Sequence, residues 1–152
     1  MKFSSHSHCA GDKAVPVHHQ RDITTAIASI AVKPAKGAAT KLRDAFISSI
    51  KNSGWSSEVA VSKHSDMTIT SMKDGVGLCL QTGNMARMYA DLIKLQTLYL
   101  DNSISSAVIV LPSQPCAILL GSNIAQANRL ERELDIFKKA YHVPTLIFAL
   151  EL

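Results

Sequence analysis

The chain has 152 residues, 47% of them hydrophobic, and a formal net charge of +4. That is enough apolar material for one ordinary core, which excludes disorder throughout, and too little charge to demand a polyanionic partner. Residues 1–63 hold nine Lys/Arg against four Asp/Glu, and residues 64–152 hold seven against eight, so any positive face is expected near the N-terminus.

Cys9, Cys79 and Cys116 are odd in number and widely spaced, which suits free thiols in a reducing compartment, and a cytoplasmic location is expected. Met1-Lys2-Phe3 leads into the polar SSHSHCAGDK, so no signal-peptide apolar region is expected. The longest early apolar run, Ile23 to Val32, falls far short of the roughly 20 residues that span a bilayer. No membrane partner is expected.

Residues 1–20 lack hydrophobic periodicity and gather His6, His8, Cys9, His18 and His19. Imidazole and thiol ligands suit zinc and similar ions, but this spacing fits no specified site, and a flexible polar tail is the plainer expectation. Ile23, Ile27 and Ile30 then fall on one helix face with Asp22 as a candidate N-cap, although the β-branched content also permits a strand. Pro34 and Gly37 break the chain. Residues 1–35 are accordingly expected to be flexible or loosely attached, and residues 36–152 to form the folded domain.

From Ala38 to Ser53, Leu42, Phe46 and Ile50 recur every fourth residue, and Gly54 is placed to end that helix. Val59 and Val61 alternate with polar neighbours as in a strand. Met67 to Met72 gives a second strand, and Lys73-Asp74-Gly75 a hairpin turn into a third, Val76 to Gln81, so the spacing predicts a three-stranded antiparallel meander. Thr82-Gly83-Asn84 turns the chain into a helix from Met85 to Leu100. A buried strand from Ala107 to Leu111, a loop with Pro115 and Gly121, a helix from Asn123 to Tyr141 and a strand from Thr145 to Leu150 complete the order. Alternating strand and helix in this half implies parallel pairing with helical crossovers.

This α/β order, together with Gln81-Thr82-Gly83-Asn84, Ala86-Arg87-Met88, Asp91-Leu92, Lys94-Leu95-Gln96, Val108-Ile109-Val110-Leu111-Pro112 and Val143-Pro144, resembles the PD-(D/E)XK nuclease fold. Within it, the chain is similar over about residues 40–151 to the BglII/BamHI-like group of type II restriction endonucleases. The resemblance implies carboxylates from the second and third strands converging on Mg²⁺, which activates water beside the scissile phosphate.

At the positions where the family pattern implies acids stand Thr70 and Cys79, and of the pattern Gln81 alone is kept. The chain is therefore expected to be a catalytically degenerate module, more a binder than an enzyme, with no functional catalytic residue, no metal and no cofactor. Its partner is expected to be DNA, RNA or another protein, with Asn84, Arg87 and Lys94 as candidate nucleic-acid contacts. Helix-surface roles compete for each: Arg87 and Lys94 suit a solvated face, and Lys94 stands three residues from Asp91 in an i, i+3 pair. The alternative reading is an active Mg²⁺-dependent endonuclease using Asp66, Asp74 or Asp91, with Asp44 on the preceding helix. Against it, Asp66 and Asp74 lie at opposite ends of one strand, and Asp91 is roughly 10 Å along its helix from the turn. Cys79 as a nucleophile or soft ligand competes poorly with a small core residue. A structural or regulatory homodimer through the 85–100 helix is the third reading, since the resemblance implies that relatives dimerise near their active-site helices.

Overall fold

The computed structural model describes residues 1–152. Five strands form one mixed sheet in the order β1-β7-β6-β5-β4: β1 (Lys2–His8), β4 (Ser71–Lys73), β5 (Val76–Leu80), β6 (Ser106–Pro112) and β7 (Thr145–Glu151). The β5–β6 and β6–β7 pairs are parallel, as the strand and helix alternation predicts, whereas β1–β7 and β4–β5 are antiparallel. The short strands β2 (Val59–Ala60) and β3 (Thr68–Ile69) pair with each other outside this sheet. The expected meander is thus a β4–β5 hairpin with a separate two-stranded flap before it.

Helices cover both faces of the sheet. On one, α2 (Val17–Ser29), α3 (Ala39–Asn52) and α5 (Gln114–Leu120) bury Ile23, Ile27, Phe46, Ile50 and Leu120 against Leu78, Val108, Val110 and Phe148. On the other, α4 (Met85–Leu100) and α6 (Ala127–Phe137) bury Met88, Leu92, Leu95, Leu130 and Leu134 against Cys79, Ile109, Leu111 and Ile147. Covered on both faces, β6 is buried along its whole length, which is why it reads as one apolar run rather than an alternation.

The N-terminal residues depart from the flexible tail that their composition suggests. Lys2 to His8 pair in register with Glu151 to Thr145 and form an edge of the sheet. An edge strand with one solvated side can be polar throughout, because its attachment comes from backbone pairing rather than from side-chain burial. Phe3 adds an edge-to-face contact on Phe148 with ring centroids 5.7 Å apart. The chain then turns through the short helix α1 (Gly11–Ala14), where Gly11 lies so close to β7 that a Cβ would stand 2.2 Å from the Thr145 carbonyl carbon.

Two further elements differ from the sequence reading. Helix α2 starts at Val17, behind Pro16, so Asp22 lies in its second turn instead of capping it. Its carboxylate accepts from Lys73 Nζ at 2.9 Å and from Trp55 Nε1 at 3.1 Å, which makes it a cross-link to the rest of the fold. The expected loop at Pro115 is α5, with the proline in its first turn, where the missing N–H costs nothing.

Candidate nucleic-acid interface

Strand β5 ends at Leu80 and delivers Gln81 to the turn before α4. Gln81 Oε1 accepts from the Gly83 N–H at 2.9 Å, and a Cβ on Gly83 would meet that same oxygen at 2.9 Å, so a side chain there would displace the Gln81 amide. Asn84 is the N-cap of α4, its Oδ1 accepting from the Arg87 N–H at 3.2 Å. Beyond the turn, the Ala125 N–H donates to the Gly83 carbonyl at 2.9 Å and the Met85 N–H to the Asn123 carbonyl at 3.0 Å, fixing the mouth of the helix against the segment before α6.

These elements open a cleft of about 710 Å³ between α3, the β2–β3 flap and the first half of α4. Thr70, Gln81, Asp91 and Lys94 line it, with Arg43, Glu58, Asp66 and Arg87 around them. Arg43 reaches over from α3, donating to the Leu80 carbonyl at 3.3 Å and to Glu58 at 3.2 Å. Lys94 pairs with Asp91 at 3.1 Å, while Arg87 makes no ion pair. Three cations drawn from two helices therefore face one concavity together with three carboxylates, Glu58, Asp66 and Asp91.

Asp91 is buried, and both its oxygens are engaged: Oδ2 accepts from Gln81 Nε2 at 2.7 Å and Oδ1 from Lys94 Nζ. Helical rise alone would leave Asp91 far from the turn. Instead α4 folds back over the sheet, so its second turn stands above the end of β5, within reach of the long glutamine side chain. The other acids divide. Asp66 is an exposed residue on the cleft wall, whereas Asp74 lies at the β4–β5 hairpin against His19, 3.2 Å from its Nε2, and neither it nor Asp44 lines the cleft.

The positions where acids are implied hold groups of another chemistry. Thr70 lies between β3 and β4, and its Oγ1 accepts from the Leu80 N–H at 2.9 Å, taking a donor that a regular ladder would give to a carbonyl. Cys79 is buried among Ile69, Met88 and Leu92. Burial, reinforced by the nearby Asp91 charge, holds its thiol well above the ordinary cysteine range, which disfavours the thiolate that a nucleophile needs. A hard divalent cation takes oxygen ligands, mainly carboxylates. The cleft holds three carboxylates: Asp91, engaged by Lys94 and the Gln81 amide, Glu58, paired with Arg43, and the exposed Asp66 on the wall. None of them stands at the two positions, Thr70 and Cys79, from which the nuclease resemblance implies that acids hold Mg²⁺, so the donor set does not fit that site.

Of the candidate contacts, Arg87 and Lys94 line the cleft, while Asn84 is occupied as a helix cap at its rim. Sequence reasoning missed Arg43, whose place on the α3 amphipathic stripe beside Leu42 gave no sign that it would reach the end of β5.

The sheet order, the covered hairpin and the cleft at the β5–α4 turn define a restriction-endonuclease-like fold. The family model for restriction endonuclease BglII/BglIII matches residues 3–150, and the chain belongs to that family. The match includes the N-terminal strand, which the resemblance read from sequence left out. The structure is similar to that of restriction endonuclease BglII complexed with a DNA 16-mer, at a TM-score of 0.85 and 11% identity over 99% of this chain and 76% of that one. It is also similar to free BglII, at a TM-score of 0.71 and 14% identity over 100% of this chain and 80% of that one. No curated protein sequence matches the chain.

Proposed function

We propose that this chain binds duplex DNA in the cleft between α3 and α4 and does not cleave it by a metal-dependent route. The observation that carries this reading is a cleft in which Arg87 stands without an ion-pair partner beside the paired Arg43 and Lys94, with Thr70 and Cys79 at the acid positions of the family pattern. Lys and Arg that neutralise phosphates supply affinity without needing the catalytic acids. The DNA 16-mer bound by the structurally similar BglII supports duplex DNA over other nucleic acids as the first ligand to test. The similar chain is longer, about a quarter of it having no counterpart here, and the expected mode is backbone contact rather than base readout.

Fluorescence anisotropy with a short labelled duplex tests the reading. Affinity should fall steeply with salt, and incubation of plasmid with Mg²⁺ or Mn²⁺ should leave it intact. Absence of binding at low salt removes the DNA reading and makes a protein partner the default. Cutting that is abolished by Asp91→Ala or Asp66→Ala replaces it with an active nuclease that draws its acids from α4 and the cleft wall.

A homodimer through α4 is supported by a separate observation. Ile93 is 69% exposed on the outer face of that helix, beside an apolar groove of about 320 Å³ lined by Tyr89, Leu92 and Phe137. Analytical ultracentrifugation of the wild type against Ile93→Lys tests it, a monomer in both removing the dimer.

A further inference from the structure

Away from the cleft, where α2 passes the β4–β5 hairpin, three metal-ligating side chains converge. His18, His19 and Asp74 each offer one ligand atom, and all three atoms lie within 4.8 Å of one another. His19 is completely buried, yet neither of its ring nitrogens has a hydrogen-bond partner. A buried imidazole without partners is costly and uncommon. Its Nε2 is 3.2 Å from Asp74 Oδ2, close but not aligned as a hydrogen bond, and the His18 ring lies alongside with centroids 4.0 Å apart.

We propose that His18, His19 and Asp74 form a binding site for a divalent transition-metal ion of the zinc type, tying the first turns of α2 to the β4–β5 hairpin. Two imidazoles and one carboxylate are a common ligand set for such an ion, with water completing a tetrahedron. Metal–ligand bonds of about 2.0–2.1 Å place tetrahedral ligand atoms roughly 3.3 Å apart. The 3.2 Å between His19 and Asp74 already matches that spacing, and His18, which is exposed, can close the remaining gap by rotating its ring. The ion satisfies Nε2, one of the two buried ring nitrogens of His19 that have no hydrogen-bond partner.

The surroundings fit a ligating histidine. Asp22 Oδ2 stands 3.8 Å from His19 Nδ1, on the side where the carboxylate that orients a metal-bound imidazole belongs. The neighbouring cation, Lys73, is tied down by Asp22 at 2.9 Å and the Ser53 carbonyl at 2.6 Å, so the Asp22 carboxylate stands between its charge and the ligands as a counter-ion. Trp55 packs edge-on to His19 with centroids 5.4 Å apart and closes the apolar wall behind it. The other histidine-rich stretch takes no part: His6 and His8 are on β1, and His8 is hydrogen-bonded to the Tyr141 carbonyl.

The test uses the full chain after chelator treatment, with Co²⁺ and Zn²⁺ as probes. The wild type is expected to bind one equivalent of Co²⁺, to show the intense visible bands of a low-coordinate site, and to rise in Tm with Zn²⁺. His18→Ala and Asp74→Asn change exposed side chains, so both should keep the wild-type circular dichroism while losing at least about tenfold in Co²⁺ affinity. Absence of stoichiometric binding overturns the proposal. So does unchanged affinity in both variants, which would assign the ion to other ligands. DNA binding is a separate readout, and its failure leaves this experiment intact.

Discussion

Gln81 and Asp91 are ten residues apart in the chain and 2.7 Å apart in space, the amide nitrogen of one donating to the buried carboxylate of the other. With Lys94 on the second oxygen, the carboxylate at the floor of the cleft is held as a structural anion. Part of the positive charge of α4 is thereby spent inside the protein. Asp91→Asn removes that charge in a side chain of the same shape. Lys94 is then released toward the cleft, and duplex affinity at low salt is expected to rise several-fold, with the slope of log affinity against log salt steepening by up to about 0.9. Anisotropy titrations across a salt series measure both. Unchanged or weaker binding would mean that Asp91 serves the cleft in some other way.

Arg87 is the cleft cation without an ion-pair partner, and its removal should therefore cost more than that of Lys94, which is shared with Asp91. Arg87→Ala is expected to weaken duplex binding about equally for all sequences and to reduce the salt slope by about 1. Lys94→Ala should do less to binding and more to stability, since it strands a buried carboxylate. Comparing the two by anisotropy and by urea unfolding separates the roles. Equal losses of binding would show that Lys94 is already directed at the ligand.

How much of this was legible in the sequence follows from how each element is held. Helix α4 runs from Met85 to Leu100 as its periodicity predicts, because its buried stripe is regular and its Asn84 cap is local. Strands β6 and β7 were readable because burial on both faces leaves little but apolar residues. Strand β1 was not: its hold on β7 is made by backbone groups, which every residue has, so Ser4, Ser5 and Ser7 carry no trace of it. The cleft was legible in part. Thr70, Gln81, Arg87 and Lys94 do line it, but Arg43 comes from a distant helix and Asp91 is brought to Gln81 by helix packing, two facts that no local spacing encodes. Asp74, equally acidic and equally near in sequence, lies with His19 instead.

Restoring an acid to the third-strand position tests how far the floor has been rebuilt as core. Cys79 is 1% exposed and sits among Ile69, Met88, Leu92 and Leu95, with the Asp91 charge close by. Cys79→Glu places a second carboxyl in that apolar setting and adds volume. The expected cost is at least about 2 kcal/mol of stability by urea unfolding, with no gain of Mg²⁺-dependent cleavage. Cys79→Ala, which removes only the thiol, should cost about 1 kcal/mol. A stable Cys79→Glu variant that cuts DNA in Mg²⁺ would show that the site had lost a single residue and otherwise kept its chemistry.

The α4–α6 interface supplies a pH dependence of its own. Tyr89 donates its hydroxyl to Glu133 Oε2 at 2.5 Å, and Arg129 Nε donates to Oε1 of the same carboxylate at 2.7 Å. Burial pushes the Glu133 carboxyl up, but the hydrogen bonds from Tyr89 and Arg129 and the charges of Arg129 and Arg132 together outweigh it, and the net shift is downward from 4.5. A carboxyl whose pKa is lower in the folded protein contributes stability that is present above the unfolded value. That contribution is lost as pH falls through the folded one, because the unfolded chain takes up the proton first. Stability should therefore decline below about pH 4.5 with a component of at most about 1.4 kcal/mol per pH unit from this group. Tyr89→Phe deletes one of the two donors while keeping the ring that packs edge-on to Phe137. It is expected to cost about 1 kcal/mol at pH 7 and to flatten the acid limb, since Glu133 then titrates nearer its unfolded value. Urea unfolding of wild type and variant from pH 3 to pH 7 measures both effects. If the two curves run parallel down to pH 3, the hydrogen bond from Tyr89 is not what holds Glu133 ionised, and the pair with Arg129 carries the shift.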